Sequence, residues 1–335
     1  MQGEASVIAS RDGRIGRLLL NRPKALNALD LDMIRACDRA LRDWLDDPHV
    51  HAVVIEGTGD RAFCAGGDIR AVRQFHLEGR PEQVEAFFSE EYALNYLIAT
   101  YPKPYIALVD GICMGGGIGV SVHGAYRVAT EHALFAMPET AIGFFPDIGA
   151  TYVMPRLPGR LGIYLALTGA RMQGADAIHA GLATHFVPRS ELATLSADLA
   201  ADGVAALARH AAPLPAFSLA TEREMIDRCF AADDMVEIMR RLEHNEEAFA
   251  RRTAETLRQM SPSSLVWSRR LLREGEDRSL RQCLDAELRA SRTITPYYEF
   301  IEGVRAMVVE KDRQPRWQPA RLEDVDAGEI DRLLT

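Results

Sequence analysis

The residues of this chain best able to do chemistry are two glycine-rich runs and two carboxylates. Gly115-Gly116-Gly117 follows the strand-like run Tyr105-Ile106-Ala107-Leu108-Val109 and stands where a helix starts. A turn without side chains lets a ligand oxygen approach backbone N–H groups that have no partner within the helix, a setting for a developing negative charge. Ala65-Gly66-Gly67 offers the same kind of donor before another helix, with Asp68 placed to cap or orient it. Glu139 and Asp147, eight positions apart, sit among Met137, Pro138, Ile142, Phe144, Phe145 and Pro146, where an ionised group is costly unless it has a partner or a purpose. Anion-binding turns combined with such carboxylates point to acid–base or nucleophilic catalysis. Each feature also has a plainer reading, since glycine turns serve tight packing and an Asp after Pro often caps a helix. The combination carries the inference.

Several classes are disfavoured. The glycine runs lack Gly-x-x-x-x-Gly-Lys-Ser/Thr, and no acidic ribose partner fits a dinucleotide site. The nine histidines form no His-x-x-x-His or Cys/His cluster, so no metal is expected. Cys64 lacks a nearby group to lower its pKa and reads as a packed thiol, and His123 reads as a core residue. A net charge of −9 over 335 residues argues against nucleic acid or an anionic membrane as partner. There is no leader-like apolar segment and no apolar run of membrane-spanning length. Five scattered cysteines without Cys-x-x-Cys spacing point to a reducing, cytoplasmic location.

The elements that must position these groups begin with a hairpin turning at Asp12-Gly13. Asn27 or Asp30 caps a helix with Met33, Cys37 and Leu41 on its apolar face, and a buried strand follows at Ala52-Val53-Val54-Ile55. An amphipathic helix from Pro81 to about Leu97 carries Glu90 and Glu91, a pair that ordinarily faces water. After Asp147 the pattern gives helices over 148–156, 160–167 and 174–180 and a short strand at 184–187. Alternation of this kind defines an α/β unit. From Pro188 onward the chain reads as helical, broken at Pro213-Leu214-Pro215, Ser261-Pro262-Ser263 and Thr295-Pro296, with Leu280, Leu284 and Leu288 on a packing face.

The chain resembles the enoyl-CoA hydratase/isomerase (crotonase) superfamily through Asn21-Arg22-Pro23-Lys24-Ala25-Leu26-Asn27-Ala28-Leu29, Ala62-Phe63-Cys64-Ala65-Gly66-Gly67-Asp68 and Met114-Gly115-Gly116-Gly117. Within it, Phe88-Ser89-Glu90-Glu91-Tyr92, Ser121-Val122-His123-Gly124, Phe145-Pro146-Asp147 and Phe300-Ile301-Glu302-Gly303 are similar to a branch that hydrolyses short 3-hydroxyacyl-CoA thioesters. The resemblance implies an α/β fold, a crotonase-like β-β-α spiral core with a helical C-terminal region. Residues 1–205 would be the acyl-CoA-binding catalytic core and 206–335 the helical region.

In the family's hydratases one catalytic Glu lies three positions after the middle glycine and a second twenty further on. The matching positions here are Gly119 and Glu139, so only the second carboxylate is present, while Asp147 matches the hydrolase pattern. The resemblance thus implies Glu139 and Asp147 as the catalytic pair and Glu91 and Gly116 as substrate contacts. The N–H groups of Ala65 and Gly116 are the expected oxyanion hole. Gly67, Asp68, Lys24 and Ala25 are further candidates to bind substrate, and Arg22, Lys24 and Arg70 to bind the CoA phosphates. The expected reaction is hydrolysis of 3-hydroxyisobutyryl-CoA, as in valine catabolism, with Glu139 as nucleophile or as base. No cofactor is implied, CoA being part of the substrate, and a homo-oligomer is compatible. The alternatives are an enoyl-CoA hydratase or isomerase of the same fold, and a non-catalytic acyl-CoA-binding protein.

Overall fold

In the computed structural model, which describes residues 5–335, short strands and helices follow one another in a repeated order. Ala52–Gly57, Ala62–Cys64 and Ile69–Leu77 form strand, strand and helix; Tyr105–Val109, Ile112–Met114 and Gly116–Val122 do the same; Tyr126–Ala129 and Leu134–Ala136 lead to a 3-10 turn, Glu139–Ile142. Each of the three candidate catalytic stretches comes directly after the short second strand of its repeat. The described residues form two compact units, residues 5–67 with Glu90–Phe135 and Arg171–Phe217, and Asp68–Ser89 with Ala136–Ala170 and Ser218–Thr335. This division does not follow the single boundary expected near residue 205. The strands of a repeat belong to the first unit, save Ala136 at the end of Leu134–Ala136, whereas segments that follow them, Asp68–Ser89 and Ala136–Ala170, belong to the second.

The first unit is built on a six-stranded sheet ordered Val7–Asp12, Ile15–Leu20, Ala52–Gly57, Tyr105–Val109, Tyr126–Ala129 and His185–Phe186. The first pair is the antiparallel hairpin turning through Gly13, and the remaining pairs are parallel. On one face Ile15, Val54, Ile106, Leu108 and Val128 pack with Leu195 and Leu199 of the helix Leu192–Asp202. A second sheet joins Ala62–Cys64, Ile112–Met114, Leu134–Ala136 and Met172–Gln173. Strands of two or three residues are too short to show alternation, so the sequence pattern left this sheet unseen. Asp30 caps the helix Leu31–Leu45 by accepting the Met33 N–H at 2.9 Å. Buried Asn27 is instead a clasp: it accepts the Arg22 N–H and donates to the carbonyls of Thr58 and Ala62, all at 2.9 Å.

The second unit is mainly helical. Its helices include Met235–Glu243, Ala248–Gln259, Pro262–Gly275, Leu280–Ile294 and Tyr298–Val304. The break at Ser261-Pro262-Ser263 coincides with a helix start, Ser261 capping the helix opened by Pro262, and Ser279 with Gln282 forms a capping box for Leu280–Ile294. Around the turn Glu139–Ile142, Phe144 packs with Phe88, Phe145 and Phe300 at ring-centroid distances of 5.7, 4.3 and 5.5 Å. The helix Tyr298–Val304 lies flush on this turn, because a Cβ at Gly303 would overlap the Ile142 carbonyl and one at Gly143 the Glu299 carbonyl. Among the described residues no helix is long and apolar enough to cross a membrane.

Because the obstruction at Gly303 is backbone, which cannot rotate away, Gly303→Ala is expected to lower the unfolding free energy by about 1–3 kcal/mol, the scale of overpacking. Urea denaturation monitored by circular dichroism measures it. A change within ±0.5 kcal/mol, roughly that of a surface substitution, would contradict the flush packing.

Candidate active site

In the first unit the two glycine turns lie together. A Cβ on Gly116 would stand 2.5 Å from Glu91 Oε1 and 3.1 Å from the Gly67 nitrogen, so only glycine leaves this backbone open to a ligand. Gly116 opens the helix Gly116–Val122, where the N–H groups of Ile118 and Gly119 both turn back to the Gly115 carbonyl. The Gly116 N–H precedes the first intrahelical bond and can serve a ligand. Ala65 departs from the expected oxyanion role: its N–H donates to the Leu26 carbonyl at 3.0 Å and is spent on the fold. Gly66, at φ 114°, turns the chain beyond it, and the nitrogen brought beside Gly116 is that of Gly67. That leaves the N–H groups of Gly67 and Gly116 as the candidate pair of donors.

Glu90 and Glu91 part company on the helix Pro81–Ala99. Glu90 faces water and takes two hydrogen bonds of 2.7 Å from Arg35, whereas Glu91 is only 2 % exposed, its carboxylate directed at Gly116. One turn on, Asn95 is fully buried, and neither its amide nitrogen nor its oxygen has a hydrogen-bond partner among the described residues. Few buried polar groups are left so. Asn95 was not foreseen, although a polar residue four positions after Glu91 on an apolar face was a signal for it. Burial pushes the Cys64 thiol up to about 12, so it is no nucleophile at neutral pH. Lys24 and Ala25 lie exposed in the turn Pro23–Ala25. Arg22 is engaged by Asp30 at 3.0 Å and the Ala28 carbonyl at 2.7 Å, which counts against it as a phosphate ligand.

In the second unit Glu139 opens its 3-10 turn and Asp147 lies in the segment beyond, each 6 % exposed. Glu139 Oε2 has no hydrogen-bond partner among the described residues. Asp147 begins a tight turn closed by the Ala150 N–H on the Asp147 carbonyl at 2.8 Å, with Ile148 at φ 57° and Gly149 at φ 82°. A β-branched residue in the left-handed region costs on the order of 1–3 kcal/mol and persists only where its surroundings over-determine it. The determinant is Glu287, fully buried on the helix Leu280–Ile294, which accepts the Gly149 and Thr151 N–H groups at 2.7 and 3.0 Å and the Thr151 hydroxyl at 2.5 Å. The Leu280/Leu284/Leu288 stripe had suggested mere packing there; the buried face runs instead through Cys283, Leu284, Glu287, Ala290 and Ile294. Asp68 accepts the Ala71 N–H at 3.3 Å as a helix cap, and Arg70 donates to the Val308 carbonyl at 2.8 Å.

Two glycine-bared N–H groups in one unit and buried acidic residues in the other, on repeated β-β-α turns, define a class. The family model described as enoyl-CoA hydratase/isomerase matches residues 15–334, and the chain belongs to that family. It is 45% identical to a 3-hydroxyisobutyryl-CoA hydrolase, mitochondrial, of Xenopus tropicalis, over 99% of this chain and 89% of that protein. Among solved structures it superposes on a carnitinyl-CoA dehydratase from Mycobacterium thermoresistibile (TM-score 0.95, 39% identity, 99% of this chain and 97% of that one). It also superposes on an enoyl-CoA hydratase from Rhodobacter sphaeroides 2.4.1 (TM-score 0.92, 39% identity, again 99% and 97%). The word mitochondrial in the name of the frog relative, and of the human one, goes against the cytoplasmic location expected from the cysteines. Unpaired thiols mark a reducing surrounding and cannot choose between compartments.

The Glu139 carboxyl is held well above its ordinary 4.5, chiefly by burial and secondly by the nearby charge of Asp147. In the unfolded chain it ionises near the ordinary value, so between the two the folded form binds more protons. Its stabilising contribution is full below the unfolded pKa and is lost as pH rises through the folded one. Gln cannot ionise, so Glu139→Gln is expected to gain stability over the parent as pH is raised from 5 toward 9. Melting temperatures of the two proteins across that range test the sign; a gap that closes with rising pH contradicts it.

Proposed function

We propose that this chain hydrolyses the thioester of a short 3-hydroxyacyl-CoA, 3-hydroxyisobutyryl-CoA foremost, to the free acid and CoA. The observation that carries the reading is the pair Glu139 and Asp147, both buried, with the first carboxyl lifted in pKa by its surroundings. A lifted carboxyl is suited to take a proton at neutral pH. The name of the frog hydrolase supports the substrate.

In this reading the N–H groups of Gly67 and Gly116 stabilise the oxyanion as the thioester carbonyl becomes tetrahedral. Glu139 delivers the oxygen, either by attacking the carbonyl itself, with water opening the resulting anhydride, or by taking a proton from an attacking water. In the first route collapse of the tetrahedral adduct breaks the C–S bond, expels the CoA thiolate and so forms the anhydride, and the water that opens it supplies the proton the thiolate takes; in the second the proton taken by Glu139 passes to the sulfur as the C–S bond breaks. Asp147 and Glu91 orient the acyl hydroxyl or the water, and exposed Lys24 is the remaining candidate of its turn for a CoA phosphate.

The two solved relatives are described as a dehydratase and a hydratase, so hydration is the competing reaction. Against it stands Gly119, buried within the helix Gly116–Val122 and bearing no side chain where the family's hydratases carry their first Glu. The binding-only alternative leaves the cost of two buried carboxylates without a return.

Three measurements test the proposal. Glu139→Gln is expected to abolish thiol release from 3-hydroxyisobutyryl-CoA while calorimetric affinity persists, and full turnover by the folded variant would refute its role. Gly116→Val, which fills the space between Glu91 and Gly67, is expected to lower kcat by about 10²–10³, the scale of a lost oxyanion donor; near-normal kcat would remove Gly116 from the hole. Crotonyl-CoA, followed by loss of its enone absorbance, is expected to go unhydrated at enzyme levels that cleave the thioester readily. Comparable rates would favour a hydratase.

A further inference from the structure

We propose that Glu287 is the positioning residue of Asp147, holding through the strained turn Asp147-Ile148-Gly149-Ala150 the direction in which the Asp147 carboxylate is presented. The inference rests on the reading of Asp147 as a participant in thioester hydrolysis.

Three successive N–H groups carry the argument. That of Ala150 closes the turn on the Asp147 carbonyl, and those on either side of it, Gly149 and Thr151, go to the two oxygens of Glu287. The Thr151 hydroxyl adds a third donor to the same oxygen as its own N–H. One carboxylate, reaching across 138 residues of sequence to Gly149, therefore fixes the backbone on both sides of the bond that closes the turn.

Without that acceptor the two N–H groups would be buried and unsatisfied, a state the chain relieves by moving. The cheapest movement is at Ile148, whose φ of 57° is unfavourable for a β-branched side chain. Its relaxation swings the adjoining Asp147. Glu287 is the only acid among the buried residues of Leu280–Ile294, and all three of its donors come from the two residues that flank Ala150, next to Asp147. Burial also pushes the Glu287 carboxyl up to about 8 despite its three donors, a penalty carried along with the position. Glu287 itself need touch no substrate, and its influence passes through main chain.

The experiment is a double-substitution cycle on the full chain: Glu287→Gln, Asp147→Asn and both together, with kcat and KM for thiol release from 3-hydroxyisobutyryl-CoA, and melting temperature, measured on each. Gln retains the shape but only one acceptor oxygen. In the parent background Glu287→Gln is expected to lower kcat by about 10–100-fold, the cost of a misplaced group, with KM little changed. In the Asp147→Asn background the same substitution is expected to change kcat by less than about twofold, because the group it positions is already gone. A merely structural Glu287 predicts otherwise: equal factors in both backgrounds, or a loss that follows the folded fraction. Either result overturns the proposal, as does an unchanged kcat in Glu287→Gln.

If Asp147→Asn alone keeps the parental kcat, the reading of Asp147 fails and the positioning role falls with it, an outcome distinct from equal factors. Should Glu287→Gln not fold, Thr151→Val, which removes one donor and leaves the carboxylate in place, enters the same cycle with the same expected pattern. Thr151→Ser, which keeps the hydroxyl, is then expected to exceed Thr151→Val in kcat, and equal losses in the two would exclude the hydrogen bond.

Discussion

A carboxyl group kept in an apolar turn, with one oxygen unpartnered among the described residues, is the constraint on which the second unit depends. Left to itself such a group rotates out to water or drags its turn with it. The turn that bears Glu139 is denied both movements. The Thr140 hydroxyl donates to the Leu167 carbonyl at 3.0 Å, the Ser261 N–H to the Thr140 carbonyl at 3.2 Å, and the Trp267 indole N–H to the Phe144 carbonyl at 3.0 Å. With Gly143 and Gly303 allowing backbone to touch backbone, the helix Tyr298–Val304 closes over what remains. These bonds hold the turn while Glu139 Oε2 has no hydrogen-bond partner among the described residues, which is the separation of support from function that a preorganised site requires.

The first unit solves the complementary problem. For its N–H groups to be open to a ligand, as proposed, side chains are the hazard. Glycine removes them at Gly67 and Gly116, and the same economy brings Gly117 against the Cys64 carbonyl, where a Cβ would overlap it, so the two turns can approach closely. Approach alone would leave the loops loose. Asn27 ties the loop from Arg22 to the strand Ala62–Cys64, and the Ala65 N–H, given up to Leu26, anchors the donor turn one residue before Gly66 bends it.

The two solutions place different demands on stability. The hydrogen bonds that hold the donor turns, those of Asn27 and of the Ala65 N–H, are neutral and do not titrate, although Glu91 is buried beside Gly116. The buried acids of the second unit do the reverse: Glu139 and Glu287 both sit above the ordinary carboxyl range because burial outweighs their donors, and Glu299, buried and taking hydrogen bonds from Ser261 and the Gln318 N–H, is pushed up to about 7. Each costs folding free energy as pH rises through neutrality.

The sequence alone determined what is local in backbone terms. Glycine freedom marked both donor turns, residue identity marked Glu139 and Asp147, and the break Ser261-Pro262-Ser263 marked the start of a helix. These follow from a residue and its near neighbours, so spacing is enough to find them. Tertiary structure decided the rest. Whether Ala65 or Gly67 offers its N–H depends on a φ of 114° between them and on where Leu26 lies; which of Glu90 and Glu91 is buried depends on what each side of the helix meets. The second sheet is made of strands too short to carry a pattern. Glu287 was hidden most completely, because its partner turn lies 138 residues earlier and its meaning arises only where the two segments touch.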